Sequence, residues 1–262
     1  EEDALEKRIA DFERELDRQI LADGGHVSRN ASVLVELLLD LLPLKQCFIA
    51  RDRVPPPRLV DAMRRMVPMV RRMRLGDGTL ARFNGVGAGI PDALGTVLSF
   101  EESLPQPDEG IFVSRYARLQ RRQMVLVADV GSPPPQALST HAFAGCLSFE
   151  MSSGAHPVIV NCGAPNNAHG DWRLHARGTP AHSTLVLNNA SSSVMQRRHR
   201  SDEWGGGPAI EGPTLVGSEV RTDDNGAIEL VASHNGYAAR FGAMHRRSLR
   251  LGPQGDRLDH DR

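Results

Sequence analysis

Cysteine is scarce in this sequence and shows no recognisable spacing. Cys47, Cys146 and Cys162 are the only three in 262 residues, and an odd number without a CxxC pair indicates neither a disulfide framework nor a zinc ribbon. Long apolar stretches are missing as well, since no run reaches the ~18 residues that a membrane-spanning helix requires. The sequence therefore predicts no transmembrane segment.

An excess of either charge is also absent. The 31 Lys and Arg residues nearly balance the 32 Asp and Glu residues, for a formal net charge of −1. No global field therefore attracts nucleic acid or an anionic membrane, and we predict no nucleic-acid partner. Lysine occurs only at Lys7 and Lys45. The dominance of arginine fits a GC-rich genome as readily as carboxylate binding.

Aromatic residues make up 5% of the chain, and Tyr116 and Tyr237 are the only tyrosines. Several common signatures are missing too: there is no βαβ alternation, phosphate loop, GxSxG or HExxH pattern.

The chain begins at Glu1 without an initiator Met, which predicts an internal fragment of a longer protein. The lack of a signal peptide is then uninformative about secretion.

The sequence divides into two halves with different hydrophobic periods. Apolar residues recur every three or four positions in the first ~100 residues, as amphipathic helices require, and Ser28 or Asn30 is placed to cap the second helix. After Gly110 the period changes to two. The predicted fold is α+β, with a helical domain over 1–105 followed by an antiparallel β-domain over 110–262.

Short β-rich runs predict the individual strands. A hairpin is expected where IFVSRYARL and MVLVADV are joined by Arg121 and Arg122. Further strands are expected in CLSFEM, PVIVN, IELVASH, RRSLRL and STLVL, the last over 183–187. His141 and His182 stand at the edges of such runs. Strand ends that bring imidazoles together are a usual way to build a polar site on a β-scaffold.

The order of these motifs resembles the C-terminal region of the heparinase II/III-like family of polysaccharide lyases. In the helical half the matching segments are Asp23–His26, Leu75–Gly78 and Arg82–Gly85. In the β-half they are His141–Glu150, Val160–Gly163, Thr179–Thr184, Ser233–Tyr237 and His245–Arg247. The resemblance covers nearly the whole chain. It implies the C-terminal helices of an (α/α) toroid followed by a truncated antiparallel β-sandwich, with the substrate cleft between them.

The resemblance also implies a chemistry, β-elimination at a uronic acid. Such a site must neutralise the carboxylate, remove the C5 proton and protonate the departing glycosidic oxygen. His141 is predicted to be catalytic, and His26 is the second catalytic candidate. The predicted substrate-binding residues are Asn30, Arg82, Arg177, His182, His234 and Tyr237.

This sequence departs from the family at the metal site and at one tyrosine. Phe143 stands where relatives have a metal-binding histidine and Asn161 where they have an aspartate, so only His182 matches a ligand. Zinc is held by about four donors, and we predict no tightly bound metal and no other cofactor. Many relatives carry a catalytic tyrosine where this chain has Val33.

Two functions are compatible with these observations. The first is a lyase that cleaves an acidic polysaccharide or oligosaccharide containing uronic acid. The second is a non-catalytic carbohydrate-binding or cell-envelope protein with the same fold. The missing tyrosine and metal ligands favour the second function, whereas the retained His141, His182, His234 and His245 favour the first. The resemblance implies a periplasmic or cell-envelope location, although the cytoplasm stays open.

Overall fold

The computed structural model describes residues 2–89, 91–99, 111–165, 172–196 and 207–261. Within these ranges, helices make up the first part of the chain and antiparallel sheets most of the second. This confirms the predicted α+β class. The predicted domain boundary at 105–110 lies outside the described residues and stays a prediction. Across the described ranges, no helix combines the length and apolarity needed to cross a bilayer.

The helices of the first part are α1 (Glu2–Gln19), α2 (Ala31–Ile49), α3 (Pro57–Arg72) and α4 (Pro91–Ser99). Asn30 caps α2 as predicted, because its side-chain oxygen accepts a hydrogen bond from the Ser32 N–H at 2.9 Å. Proline begins both α3 and α4, where its missing N–H costs nothing. These helix starts were therefore readable from the sequence.

The second part contains two main sheets. The first has the order β1 (Phe112–Val113), β2 (Tyr116–Arg121), β3 (Met124–Asp129), β4 (Phe149–Ser153) and β5 (His156–Ile159). Two short strands, β6 (Val194–Met195) and β7 (Ala209–Glu211), pair separately. The second sheet contains β8 (Val216–Thr222), β9 (Ile228–His234), β10 (His245–Leu251) and β11 (Leu258–Asp261). Two short helices interrupt these strands, α5 (Trp172–Ala176) and α6 (Ala238–Phe241).

The predicted hairpin is confirmed, since Arg121 of β2 pairs with Met124 of β3 across a tight turn. The strand predicted over 183–187 is wrong. The hydroxyl groups of Ser183 and Thr184 donate instead to the backbone carbonyls of Phe149 and Cys146. This segment therefore attaches to the first sheet through side chains rather than through a backbone ladder.

Strand β3 lies at the centre of a layered core and is buried along its whole length. Val125 and Val127 pack with the helical residues on one face of the first sheet. Leu126 points to the other face, where it shares an apolar cluster with Leu230 and Leu249 of the second sheet. Because both faces are covered, the strand reads as a continuous apolar run. The result is helices on one side of a β-sandwich.

A buried polar network fastens the helical part to the first sheet. Arg29, in the loop before α2, donates to the Asp129 carboxylate at 2.6 Å, and both side chains are buried. The Tyr116 hydroxyl donates to the Arg29 carbonyl at 2.6 Å and accepts from the Asn84 amide at 2.8 Å. Asn84 also accepts a hydrogen bond from the Phe143 N–H. These contacts fix the loops that surround the site described next.

Candidate functional site

A cavity of about 590 Å³ opens between the helical part and the loops of the sandwich. Residues from both parts of the chain form its walls. Its helical wall is formed by Asn30, Ser32, Val33 and Glu36, and its base includes Gly85, Gly87 and Gly89. The opposite wall is formed by Thr140, His141, Phe143, Ala164, Pro165, Arg173 and Arg177.

Asn30 and His141 meet across this cavity beside Gly85. A Cβ atom placed on Gly85 would lie 2.8 Å from the Asn30 amide nitrogen and 3.0 Å from the His141 Cβ. Gly85 also has a φ of +97°, a conformation that favours glycine. Since the Asn30 oxygen is used in capping α2, its amide N–H groups remain to face a ligand. The structure thus brings together two of the predicted site residues from opposite halves of the sequence.

The electrostatic surroundings of His141 favour its neutral form. Partial burial lowers its pKa, and the positive charges of Arg173 and Arg177 lower it further. The side chain is nevertheless exposed to the cavity. A neutral, accessible imidazole can accept a proton, which is what a general base requires.

Arg177 lines the cavity, but its guanidinium group is bound to the backbone. It donates to the carbonyls of Ala142, Ser139 and Gly207 at 2.8–3.0 Å, and the residue is buried. Burial lowers its pKa to about 10, with a further contribution from Arg173. Its side chain therefore holds the His141 loop in place and contributes positive charge, while the donors expected to clamp a uronate are already engaged.

Two predicted residues from the helical half lie away from this cavity. The His26 ring is hydrogen-bonded to Ser28 and Gln19 in the turn after α1, and burial lowers its pKa. Arg82 donates its backbone N–H to Glu150 at 3.1 Å, and its side chain packs against Gly163. Neither side chain lines the cavity. The structure does not bring them to His141.

His182 lies behind the cavity wall rather than in it. Its Nδ1 is 2.8 Å from the Gly178 carbonyl oxygen, and the Phe143 ring centre is 5.2 Å from its own. The Asn161 side chain accepts from the Ser183 N–H at 2.9 Å. Within the described part of the chain, no three His, Cys, Asp or Glu residues are grouped to hold a metal ion. One imidazole, a neutral amide and a phenyl ring do not fit the donor set of a zinc site.

His234 and Tyr237 lie in the second sheet and the turn that follows it, where they pack against each other. His234 accepts from the Gly236 N–H at 2.9 Å, and its other ring nitrogen is 3.1 Å from His245 Nδ1. Tyr237 is buried and donates to the Leu185 carbonyl at 2.6 Å. Both residues have interactions that stabilise the sandwich, and neither lines the cavity.

Neither tyrosine of the chain reaches the cavity. The Tyr116 hydroxyl is held in the Arg29 network, where burial raises its pKa. Burial raises the pKa of Tyr237 as well. Val33, at the position where the resemblance implies a tyrosine, does line the cavity. A proton donor at this site must therefore be a different residue.

Sequence reasoning missed two charged residues of the cavity, Glu36 and Arg173. Glu36 did carry a signal, because it is one of two acidic residues on the largely apolar helix α2. Arg173 did not, since nothing distinguishes it from the other arginines until the fold places it near His141.

The chain was compared with protein-family models, curated proteins and solved structures. The model of the heparinase II/III-like C-terminal domain matches residues 108–260. This match covers more than half of the chain, which therefore belongs to the heparinase II/III-like family. The assignment agrees with the resemblance found in the motifs.

Among curated proteins, the chain is 31% identical over 245 residues to FtsZ-localized protein C of Caulobacter vibrioides, covering 93% of this chain and 42% of that protein. Among solved structures, it matches heparinase III, the BT4657 gene product, with a TM-score of 0.69 and 16% identity. Heparan sulfate lyase HepC of Pedobacter heparinus matches with a TM-score of 0.65, also at 16% identity. Both alignments cover 94% of this chain and 39% of the other.

These structural matches establish a fold like that of polysaccharide lyases, with a β-sandwich. The chain spans about two-fifths of the length of the relatives it matches. The activity, substrate and partners of the whole protein are accordingly matters of proposal.

Proposed function

We propose that the cavity between the helices and the sandwich binds an acidic glycan and that His141 removes a proton from its uronic acid, beginning a β-elimination. The observation that carries this proposal is the position of His141, an accessible imidazole whose pKa is lowered by burial and by two arginines. Positive charge on the same wall attracts an anionic sugar. Family membership supports the same class of reaction.

Two requirements of the elimination, neutralisation of the carboxylate and removal of the C5 proton, have candidate groups in the cavity. The Asn30 amide can donate hydrogen bonds to the uronate carboxylate, which stabilises the negative charge that develops as C5 loses its proton. The Arg173 charge adds to this stabilisation at longer range. His141 takes the C5 proton, and the electron pair of that C–H bond forms the C4–C5 double bond as the glycosidic C4–O bond breaks.

We expect His141→Ala to abolish this reaction without unfolding the protein. Loss of a general base typically lowers turnover by about 10²–10⁴-fold, and an exposed side chain contributes little to stability. The measurement uses the complete gene product that contains this chain. Uronate polysaccharides of the heparan, chondroitin, alginate and bacterial types are supplied, and the ultraviolet absorbance of the new double bond is recorded.

His156→Ala is the matched control, because His156 is exposed on β5 and lies outside the cavity. It should retain the turnover of the wild type. Equal activity of the His141 and His156 variants would contradict the assignment of the base. Binding without any absorbance change across the whole panel would instead support the second candidate.

That second candidate is a carbohydrate-binding protein without catalysis, located in the cell envelope. Two observations favour it: neither tyrosine reaches the cavity, and Trp172 is 74% exposed beside Arg173. An exposed indole next to a positive charge can stack on a sugar ring. The relative named FtsZ-localized protein C carries a name that describes a place rather than a reaction. Trp172 is next to the cavity residue Arg173 but does not itself line the cavity. Weaker glycan binding in Trp172→Ala would therefore support a binding surface that extends beyond the cavity, whereas only the lyase should lose turnover in His141→Ala.

We also propose that the protein works without a tightly bound metal. His182 and Asn161 cannot complete a zinc site with Phe143 in the third position. Metal analysis of the purified complete protein should find well below one equivalent of zinc, and treatment with a chelator should leave the midpoint of thermal unfolding unchanged. One equivalent of zinc that survives dialysis would contradict this proposal.

A further inference from the structure

One residue of the cavity wall, Glu36 on α2, is acidic. Among the described residues that line the cavity, Glu36 is the single carboxylate. It lies on α2 one turn after Ser32 and Val33, so all three present to the same wall. The opposite wall carries His141, Arg173 and Arg177, so the acid and the imidazole line the same cavity.

Packing does not explain this residue. The neighbouring residues Leu34, Val35 and Leu38 are buried in the helical core, whereas Glu36 is exposed. It forms no ion pair or hydrogen bond with another described residue. Its carboxylate is therefore not engaged by the fold, and its place in the cavity wall lets it reach a bound ligand.

The elimination also requires a proton donor for the leaving oxygen, which the residues discussed so far do not supply. His141 accounts for proton removal, but the departing sugar oxygen needs a proton as the C4–O bond breaks. Both tyrosines are held elsewhere by backbone carbonyls. Arginine does not release its proton in proteins, and the hydroxyl groups of Ser32 and Thr140 are weak acids. Glu36 is the cavity group best able to donate it.

We propose that Glu36 is the general acid that protonates the leaving glycosidic oxygen. This rests on the proposed lyase function. In the reaction the C5 proton moves to His141, the C4–C5 double bond forms, the C4–O bond breaks, and the Glu36 carboxyl proton passes to the departing oxygen. His141 then loses its proton to water and Glu36 regains one.

The test compares Glu36→Gln with the wild type on two substrates, in the complete protein. The first is the uronate glycan found by the panel, and the second is a 4-fluoro uronide, whose fluoride leaves without protonation. Glu36→Gln should lower turnover of the glycan by about 100-fold or more. It should retain turnover of the fluoro compound within a few-fold. Glycan affinity should stay the same or rise, because the substitution removes a like charge.

A matched control separates this role from a structural one. Asp40→Asn removes an acid from the next turn of α2, at a residue that does not line the cavity, and should act on both substrates like the wild type. An equal loss on both substrates in Glu36→Gln would overturn the acid role. Full glycan turnover in that variant would also overturn it while leaving the lyase function intact. A wild-type protein that binds glycan yet turns over neither substrate would overturn both.

Discussion

At the scale of single residues, the site depends on a close approach that one glycine permits. Gly85 separates Asn30 from His141 and leaves no room for a side chain. A cap residue from the helical half and a loop histidine from the sheet half can meet only because this backbone is bare. The glycine is therefore a positioning element of the candidate site, although it has no chemistry of its own.

We predict that Gly85→Ala lowers glycan affinity and turnover by more than its loss of unfolding free energy explains. Its Cβ would lie 2.8 Å from the Asn30 amide nitrogen and must displace it or His141. Gly89→Ala is a matched control: Gly89 also lines the cavity with positive φ, but no atom lies within 4 Å of its added Cβ. Both variants should lose roughly 1–2 kcal/mol of unfolding free energy from backbone strain.

Only Gly85→Ala should also lose glycan affinity and turnover. Isothermal titration with the glycan and urea unfolding of each variant provide the measurements. If the two variants lost affinity equally, the contact of Gly85 with Asn30 and His141 would have no functional importance.

At the scale of elements, the sequence predicted those features that local chemistry determines. The Asn30 cap, the proline starts of α3 and α4, and the hairpin at Arg121 follow from residue type and spacing alone. The segment 183–187 has the composition of a strand but forms none, because the Ser183 side chain bonds to Phe149 of β4 and the Thr184 side chain to Cys146 in the loop before it. Tertiary contacts of this kind leave no periodic signal in a sequence.

The candidate site was predictable to a similar extent. His141 belongs to a recognisable motif and Asn30 is a recognisable helix cap, and the cavity does contain both. His182, His234 and Tyr237 belong to motifs as well, yet they lie in the packed interior of the sandwich. A histidine at a strand end can face a ligand or the core, and only the fold decides which. Glu36 is distinctive in the sequence, but its role depends on what lies across the cavity.

Strands β9 and β10 carry a buried histidine pair that should make stability depend on pH. His234 Nδ1 accepts from the Gly236 N–H, and its Nε2 faces His245 Nδ1 at 3.1 Å. Burial lowers the pKa of His234 to about 4, against about 6.5 in an unfolded chain. Between these values the unfolded state binds more protons, so falling pH favours unfolding. This contribution is present above pH 6.5 and decreases by about 3 kcal/mol as the pH falls to 4.

The pH dependence is measured as the difference between the wild type and His234→Gln in urea unfolding from pH 7.5 to 4. Glu150 must be allowed for, because burial raises its pKa to about 6 despite hydrogen bonds from the Asn161 and Arg82 N–H groups. Its contribution has the opposite sign, since the folded state favours the protonated acid, and it is common to both proteins. Parallel curves for the two proteins would mean that His234 does not titrate in this window.

At the scale of the whole molecule, the helices and the sandwich behave as one structure rather than as two attached modules. Val125 and Val127 of the first sheet belong to the helical core, and the Arg29–Asp129 pair lies between the two parts. The cavity is formed from both. Its geometry, and with it the approach of Asn30 to His141, therefore depends on the junction remaining closed.

We predict that Asp129→Asn destabilises the protein strongly because it leaves the Arg29 charge buried without a carboxylate. Breaking a buried ion pair costs about 3–5 kcal/mol. The partly exposed pair of Arg65 and Asp61 is the comparison, and Asp61→Asn should cost no more than about 1 kcal/mol. The double variant Arg29→Met with Asp129→Asn should be less destabilised than the sum of the two single variants, because no unpaired charge remains.

Urea unfolding, followed at once by far-ultraviolet circular dichroism and by the fluorescence of a probe attached to the helical part, measures these energies. If the junction couples the two parts, both signals should change in a single transition in the wild type and in Asp61→Asn. In Asp129→Asn the midpoint should fall for both signals together, and glycan affinity should fall with it. Separate transitions in the wild type would show instead that the helices and the sandwich fold independently, and a site shared between them would then need another means of holding Asn30 against His141.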